Sequence, residues 1–325
     1  MARGERLGAS DQPLCQVYDA GLYDLDGVLY LGRQPIAHAA EAVRLAREAG
    51  LHAAFVTNNA SRRPAVVAEH LAGLGIPTDP VDVVTSGQVA VRLLKGRLPP
   101  GAAVLVLGTA GLAQEVAAGG LRPVRTVAEA GPGGPAAVVQ GLDPATCWSD
   151  LAEACVAILA GALWVAGNRD STYPTERGPL PGNGALVEAL VAATGKQPEV
   201  VGKPEPALHR ESVERVGASR PLVIGDRLDT DVLGAVRGGS DSLLVLTGVT
   251  DRAAVLAAPR GMRPTYVASD LRGLLSAHHE ALVRRDKARC GQATASFDGD
   301  VLVTSGEGDD VLRAACALAW SRADG

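Results

Sequence analysis

The sequence has 325 residues, of which 47% are hydrophobic, 21% are charged and 3% are aromatic, and its formal net charge is −5. That length suits one large domain or two modest ones. The acidic balance argues against a general nucleic-acid binder, and the few aromatic residues argue against a base-stacking surface. The longest apolar run, residues 154–167, is shorter than the roughly 18 residues that indicate a membrane span. We therefore expect neither a nucleic-acid nor a membrane partner.

The cysteines and the N-terminal residues bear on location. The five cysteines are scattered without a Cys-x-x-Cys pair, which favours reduced thiols over a disulfide or zinc framework. Arg3 and Arg6 precede no hydrophobic segment, so a secretory signal is not visible. Together these features predict a cytoplasmic location.

Apolar runs typical of strands alternate with helical patterns along the first and last thirds of the sequence. The predicted elements are strands at 17–23, 51–56, 221–224 and 242–246, and helices at 36–49, 64–74 and 230–237. This alternation predicts an α/β fold with a mostly parallel sheet. In such a sheet ligands bind where the strands end at their carboxyl edge.

The middle of the sequence carries an alternation of its own. Its predicted elements are strands at 104–107, 136–140 and 163–166, and helices at 112–118 and 148–160. We expect an α/β unit at residues 84–198, inserted into a first unit made of the flanks 1–83 and 199–288.

The C-terminal residues follow a different pattern. Residues 271–285 are predicted to form an amphipathic helix, Phe297-Asp298-Gly299-Asp300 indicates a hairpin, and residues 309–322 are predicted to form a last helix. Residues 289–325 are too few for a domain of their own. They are expected to form a hairpin-and-helix extension, which is a candidate docking or homodimer surface.

Two carboxylates follow the first predicted strand, in Asp24-Leu25-Asp26-Gly27. Period-two geometry puts Asp24 and Asp26 on one side of the chain, and Gly27 suggests a tight turn at the sheet edge. The motif predicts either a pair of functional carboxylates in a cleft or an ordinary cap of the strand.

The second strand ends in Thr57-Asn58-Asn59-Ala60-Ser61. A hydroxyl followed by backbone N–H groups in a turn can cradle phosphate oxygens. Ser61 is equally suited to cap the helix that follows, and both interpretations can hold at once.

Two further polar groups follow apolar runs in the second flank. Lys203, in Gly202-Lys203-Pro204, is one of four lysines in the sequence, and its compact charge could neutralise a phosphoryl group. Asp226, Asp229 and Asp231 supply three carboxylates within six residues, and hard oxygen ligands of this kind suit Mg²⁺.

These four motifs, in this order, resemble those of the haloacid dehalogenase superfamily of phosphatases. The segment inserted between the second and third motifs resembles the large α/β cap of the branch with the p-nitrophenyl, phosphoglycolate and pyridoxal phosphate phosphatases. Residues 168–174 and 181–184 are also similar to that branch. Within it, the chain most resembles the actinobacterial glycerol 3-phosphate phosphatases. The resemblance implies a Rossmann-like core with an inserted cap.

The resemblance also implies roles for single residues. Asp24 would be the nucleophile that forms an aspartyl-phosphate, and Asp26 the general acid and base. Mg²⁺ would bind the Asp24 and Asp226 carboxylates and the backbone carbonyl of Asp26, with Asp231 orienting water or Lys203. The remaining expected contacts to substrate are Thr57, Asn58, Asn59, Lys203 and, from the cap, Tyr173, for which a packing role is the alternative.

The expected substrate is a small phosphate monoester, with glycerol 3-phosphate first. Phosphoglycolate, a sugar phosphate, a nucleotide and pyridoxal phosphate are alternatives. A dehalogenase would leave Asp26 and the acidic cluster at Asp226 without a role, and a receiver-type signalling domain carries no inserted cap. A non-catalytic interaction protein is the remaining alternative, which the four intact motifs disfavour.

Overall fold

The computed structural model describes residues 4–175 and 177–325, without the side chains of Pro174 and Thr175. Within these residues the strands are β1 Ala20–Tyr23, β2 Tyr30–Leu31, β3 Gln34–Pro35, β4 His52–Thr57, β5 Val83–Thr85, β6 Ala103–Leu107, β7 Arg122–Val124, β8 Ala137–Gln140, β9 Leu163–Ala166, β10 Thr172–Thr175, β11 Gly178–Pro181, β12 Glu199–Val200, β13 Pro221–Gly225, β14 Asp241–Val245, β15 Tyr266–Ala268, β16 Ala281–Arg284, β17 Lys287–Cys290, β18 Ala293–Asp298 and β19 Val301–Ser305.

The helices lie between these strands. They are α1 Leu14–Val17, α2 Ala39–Glu48, α3 Pro64–Gly73, α4 Ser86–Lys95, α5 Ala110–Ala118, α6 Val127–Ala130, α7 Trp148–Leu159, α8 Asn183–Thr194, α9 Ala207–Val216, α10 Leu233–Gly238, α11 Arg252–Leu256 and α12 Asp309–Asp324. Pro80–Asp82 and Leu271–Leu275 form short 3-10 helices, and Leu228–Val232 form one π-helical turn. Among the helices described, none has both the length and the apolar content needed to cross a membrane.

The chain divides into two compact units. The first contains residues 4–55, 74–76 and 212–325, and the second contains residues 56–73 and 77–211. The first unit combines segments from the first and last thirds of the sequence. The boundaries 84–198 for an inserted cap stay a prediction.

A parallel sheet forms the centre of the first unit. Its strands follow the order β15-β14-β13-β1-β4, and in β1 Tyr23 lies opposite Ile224 on one side and Phe55 on the other. All four residues of β1 are buried, because helices cover both faces of such a sheet. The α/β fold with a Rossmann-like parallel core is confirmed, and β1 and β13 end side by side.

A second parallel sheet, in the order β12-β9-β8-β6-β7, forms the centre of the second unit. Its core contains Leu105 and Val138 from the strands and Ala157 and Ile158 from α7, all nearly inaccessible to solvent. The predicted middle strands and helices are therefore confirmed within a few residues. β10 and β11 form an antiparallel hairpin that precedes α8.

The C-terminal residues form more secondary structure than the predicted hairpin and helix. The predicted hairpin at 297–300 is confirmed, but it joins two strands of a four-stranded antiparallel sheet in the order β16-β17-β18-β19. Helix α12 packs on this sheet and also contributes Leu312, Cys316 and Trp320 to the core beside β14 and β15. The tail is thus a structural part of the first unit.

The helix predicted at 271–285 is wrong. Leu271 and Leu274 are both buried, at a spacing that imitates a helix face, but their 3-10 helix ends at Leu275. From Ala281 onward, half-buried and exposed side chains alternate, which is the period of a strand. His278, which lies in this segment, is only 3% exposed, and its Nε2 lies 2.8 Å from the carbonyl oxygen of Gly273.

Candidate active site

Three carboxylates lie together in the first unit. Asp24 follows β1, Asp226 follows β13, and Asp231 belongs to the π-helical turn after β13. One oxygen from each lies within 4.8 Å of the other two, and Asp226 and Asp231 are each only 1% exposed. Because buried carboxylates at this spacing repel one another, the cluster favours a bound cation. Hard carboxylate oxygens are the donors that Mg²⁺ prefers, so this set fits that ion.

The chain turns sharply just after Asp24. The Asp24 N–H donates to the carbonyl oxygen of Ile224 at 2.8 Å, so the residue is held at the end of the ladder between β1 and β13. Gly27 has a φ of +82°, and its N–H donates to the carbonyl oxygen of Tyr30 at 2.8 Å. The predicted tight turn at Gly27 is thus confirmed, and it leaves the side chain of Asp26 exposed.

Asp226 is held by a loop that the sequence analysis did not single out. The Val249 N–H donates to Asp226 Oδ2 at 2.6 Å. A Cβ atom at Gly248 would lie 2.0 Å from the same oxygen, and one at Gly27 would lie 2.4 Å from it. Glycine is required at both positions for this close approach. The signal in the sequence was Thr247-Gly248-Val249-Thr250, a polar and glycine-containing run directly after a predicted strand.

Asp231 and Asp229 have different environments. The Arg227 N–H donates to Asp231 Oδ2 at 3.1 Å, which orients this buried carboxylate within the cluster. Asp229 instead pairs with the Arg227 guanidinium at 2.8 Å, with 62% of its side chain exposed. That hydrogen-bonded guanidinium lowers the pKa of Asp229. The structure therefore adds Asp231 to the candidate metal ligands and places Asp229 in a surface ion pair.

The second unit holds the polar turn that follows β4. The Asn59 N–H donates to Thr57 Oγ1 at 3.0 Å, and Asn59 Oδ1 accepts from the N–H groups of Ser61 and Arg62 at 2.7 and 3.3 Å. Thr57 is 5% exposed. The Thr57 and Asn59 side chains thus fix the course of the turn by bonds to its own backbone. Such a turn can present N–H groups to phosphate oxygens.

Lys203 belongs to the same unit as this turn. It is only 4% exposed, and its Nζ donates to the carbonyl oxygen of Val56 at 3.3 Å. The structure therefore brings the ammonium group to the backbone that leads into Thr57, and Lys203 is not a surface lysine. A buried lysine at a turn suited to anions can neutralise a phosphoryl group.

Tyr173 lies on β10, opposite Leu180 of β11. Tyr173 is 36% exposed and Leu180 is 37% exposed, so both side chains are partly accessible to solvent. A substrate contact and a packing role for Tyr173 both stay predictions. An exposed ring on a hairpin can contact a ligand, and the side chains of the two residues after it lie outside the described ones.

Comparisons with known proteins agree with the motifs. A family model described as haloacid dehalogenase-like hydrolase matches residues 21–122, and a second, described as HAD-hydrolase-like, matches residues 200–274. D-glycerol 3-phosphate phosphatase of Mycobacterium tuberculosis is 48% identical over 317 residues, which cover 94% of this chain and 87% of that protein. The chain belongs to the haloacid dehalogenase-like hydrolase family.

A further relative and two solved structures extend the similarity. The 5′-nucleotidase YutF of Bacillus subtilis is 36% identical over 73% of this chain and 90% of its own. Among solved structures, glycerol phosphate phosphatase of M. tuberculosis in complex with magnesium has a TM-score of 0.84 at 45% identity, covering 95% of this chain and 92% of that one. The p-nitrophenyl phosphatase of Archaeoglobus fulgidus has a TM-score of 0.73 at 30% identity, covering 79% and 98%. The resemblance to this family is therefore confirmed.

The two family matches contain the motifs. The match at residues 21–122 includes Asp24, Asp26 and Thr57, and the match at 200–274 includes Lys203 and Asp226. The structure brings Asp24 and Asp226 into the carboxylate cluster of the first unit, and it brings Lys203 to the backbone beside Thr57 in the second. Both groups follow the carboxyl ends of strands, where ligands bind in α/β folds.

Proposed function

We propose that the protein is a magnesium-dependent phosphatase of small phosphate monoesters, with glycerol 3-phosphate as its expected substrate. The observation that carries the proposal is the cluster of Asp24, Asp226 and Asp231, in which three carboxylate oxygens lie within 4.8 Å of one another. The 48% identity of the chain to a D-glycerol 3-phosphate phosphatase supports both the proposed reaction and the proposed substrate.

Asp24 is the proposed nucleophile. Its backbone N–H is held on Ile224, so the carboxylate projects from a fixed point at the end of a buried strand. A carboxylate oxygen of Asp24 forms a bond to phosphorus while the bond between phosphorus and the ester oxygen breaks, which gives an aspartyl-phosphate. Phosphoryl transfer depends on position and charge stabilisation, so a weak nucleophile is sufficient.

Asp26 is the proposed general acid and base. Its carboxylic acid gives a proton to the departing alkoxide, and its carboxylate then takes a proton from the water that attacks the aspartyl-phosphate. That water's oxygen bonds to phosphorus, the bond to Asp24 breaks, and inorganic phosphate leaves. The exposure of Asp26 beyond the Gly27 turn lets it exchange protons with solvent.

The residues that would hold Mg²⁺ are Asp24, Asp226 and Asp231, with the backbone carbonyl of Asp26 as a further expected ligand. When bound, the ion neutralises negative charge on the phosphoryl group and on the attacking carboxylate. The Val249 N–H holds Asp226 in place, and Gly248 leaves the space that this carboxylate occupies.

The second unit is proposed to stabilise the phosphoryl oxygens. Lys203 supplies a positive charge, and Thr57, together with the backbone of Asn58 and Asn59, supplies hydrogen-bond donors. Tyr173 is proposed to contact the leaving group from the β10–β11 hairpin, because its ring is exposed there. A 5′-nucleotide is the second candidate substrate, since a 5′-nucleotidase is 36% identical to this chain.

A phosphate-release assay tests the proposal directly. Purified protein is incubated with glycerol 3-phosphate, phosphoglycolate, a sugar phosphate, a nucleoside 5′-monophosphate and pyridoxal phosphate, with Mg²⁺ and with a chelator. We expect hydrolysis that chelation abolishes and Asp24→Asn eliminates, with the highest kcat/KM on glycerol 3-phosphate. Activity that persists in chelator overturns the metal dependence. A higher kcat/KM on another ester overturns the substrate assignment alone.

The remaining expectations concern partners and location. A homodimer, the absence of a nucleic-acid partner and a cytoplasmic location stay proposals drawn from the sequence. Size-exclusion chromatography with light scattering measures the first, and a filter-binding assay with DNA and RNA measures the second. Trapping of phosphate on Asp24 by rapid acid quench excludes the non-catalytic alternative.

A further inference from the structure

The side chain of Asn58 is bonded to the peptide of Lys203. Its Oδ1 accepts from the Lys203 N–H at 2.7 Å, and its Nδ2 donates to the Lys203 carbonyl oxygen at 3.0 Å. One carboxamide therefore satisfies both polar groups of a single residue that is 145 positions away in sequence. The role expected for Asn58 is a contact between its backbone and the phosphoryl oxygens. The bonds of its side chain to Lys203 are additional to that role.

The backbone of Asn58 is itself fixed. Its carbonyl oxygen accepts from Ser86 Oγ at 2.6 Å and from Asn168 Nδ2 at 2.7 Å. The carbonyl oxygen of Asn168 in turn accepts from Asn183 Nδ2 at 2.7 Å. The Asn58 side chain therefore starts from a point anchored by α4, by the segment after β9 and, through Asn168, by α8.

Asp170 fixes the orientation of the Asn58 carboxamide. Asn58 Nδ2 lies 3.3 Å from Asp170 Oδ2 and 3.5 Å from Asp170 Oδ1. A carboxylate only accepts hydrogen bonds, so it selects the orientation in which the NH₂ group faces Asp170. That orientation leaves Oδ1 facing the Lys203 N–H, which is the contact the structure has.

Gly202 allows this contact to form. A Cβ atom at position 202 would lie 2.7 Å from Asn58 Oδ1 and 2.3 Å from the carbonyl oxygen of Gly167. Both distances are too short for a carbon atom, so any larger residue would push the Lys203 peptide away from Asn58. The sequence thus has glycine where the close approach of these segments requires it.

We propose that Asn58, oriented by Asp170, is a positioning residue for Lys203. The Asn58 carboxamide holds the backbone of Lys203, and the Val56 carbonyl oxygen accepts from Lys203 Nζ at 3.3 Å. The backbone and the ammonium group of Lys203 are therefore both bonded to the segment 56–58. This inference rests on the proposed function, in which Lys203 neutralises the phosphoryl group. A charge stabilises a transition state most when it is held in place before the reaction.

A double-mutant cycle tests whether Asn58 acts through Lys203. Asn58→Ala, Lys203→Met and the double variant are compared with the wild type by kcat/KM on the best ester and by Kd for inorganic phosphate in calorimetry. We expect Asn58→Ala to lower kcat/KM by roughly 10- to 100-fold in the wild type, since small misplacements of a group have costs of this order. In the Lys203→Met background the same change is expected to cost less than about 3-fold.

A charge-exchange pair tests the role of Asp170. Asn58→Asp places two carboxylates side by side and removes the donor, so it is expected to lower kcat/KM at least as much as Asn58→Ala. Adding Asp170→Asn restores an amide facing a carboxylate, and we expect it to recover part of that loss. Gln140→Met is the matched control, because it removes a buried carboxamide of the same unit whose side chain bonds to Trp164. It is expected to leave kcat/KM unchanged.

The outcomes separate this inference from the proposed function. Losses that multiply in the double variant, or Asn58→Ala with wild-type kcat/KM and phosphate affinity, overturn the positioning role while the phosphatase proposal stands. Lys203→Met with wild-type activity overturns the role of Lys203, and the positioning role with it. Thermal unfolding of each variant confirms that the protein compared is folded.

Discussion

Thr247 Oγ1 donates a hydrogen bond to the carbonyl oxygen of Gly27 at 2.6 Å. This bond joins the loop after β14 to the turn after β1, and Val249 in the same loop donates to Asp226. One short segment therefore holds both the turn that follows Asp24 and the carboxylate of Asp226. The geometry of the carboxylate cluster depends on residues that contribute no charge to it.

Thr247→Val removes this hydroxyl at nearly constant volume. We expect a loss of about 1 kcal/mol in the free energy of unfolding, typical of one hydrogen bond, together with a lower kcat/KM and a higher Mg²⁺ requirement. Thr247→Ser keeps the donor and is expected to retain most of the activity. Urea unfolding and a Mg²⁺ titration of the rate measure the two effects. Equal kcat/KM for the Val and Ser variants would show that the bond does not shape the cluster.

Gly248→Ala is expected to damage cation binding more than the fold. The added Cβ atom would lie 2.0 Å from Asp226 Oδ2 and 2.7 Å from Gly27 Cα, so the carboxylate must move. We expect loss of the rise in melting temperature that Mg²⁺ produces in the wild type. Gly238→Ala is the control, because nothing lies within 4 Å of its Cβ position at the end of α10. A wild-type Mg²⁺ shift in Gly248→Ala would contradict the close contact.

The sequence was sufficient to predict the groups that carry charge, because each follows an apolar run at the end of a strand. Asp24, Asp226 and Lys203 were predicted in this way. The contacts of Thr247 and Gly248 could not be predicted, since they depend on the loop after β14 meeting the turn after β1, two segments more than 200 positions apart. The side chain of Asn58 was missed for the same reason, because its partners come from distant segments.

The C-terminal error has another physical cause. Two buried leucines at helical spacing are common to an α-helix and to the single 3-10 turn found at Leu271–Leu275. The two possibilities are distinguished by the alternation of half-buried and exposed side chains from Ala281 onward. Such an alternation over only four residues is a weak signal in a sequence. That the tail helix completes a core could not be predicted from its pattern, because its partners in β14 and β15 precede it by about forty residues or more.

Leu312→Ala tests whether the tail is a structural part of the first unit. Leu312 is 4% exposed and packs in one core cluster with Leu244, Val255 and Val267. Removing its side chain from such a site costs about 2 to 5 kcal/mol. We expect that loss in the free energy of unfolding, with kcat preserved well below the melting temperature. Ser321→Ala, on the exposed side of the same helix, is expected to change stability by less than about 0.5 kcal/mol. If Leu312→Ala is equally mild, the tail does not complete the core.

His278 is expected to make stability depend on pH. Burial, reinforced by the charge of Arg313, lowers the pKa of His278 from 6.5 to about 4. Its Nε2 faces the carbonyl oxygen of Gly273 at 2.8 Å, so Nε2 carries the proton of the neutral ring. When the protein unfolds between pH 6.5 and pH 4, the histidine therefore takes up a proton that the folded state excludes. The stabilisation is complete above pH 6.5 and is lost as the pH falls through this window.

His278→Gln isolates this effect from other acid-sensitive groups. The glutamine amide can still donate to Gly273, but it does not titrate. We expect the difference in free energy of unfolding between wild type and variant to shift by up to roughly 3 kcal/mol between pH 7.5 and pH 4, which follows from the size of the pKa change. Urea unfolding at half-unit pH intervals measures it, with His52→Gln at an exposed position as control. Stability curves for His278→Gln and wild type that run parallel across this range would mean that the folded protein accepts a charged His278. In that case the buried ring would have to be hydrated or displaced in acid, because a dry site beside Arg313 strongly disfavours a second positive charge.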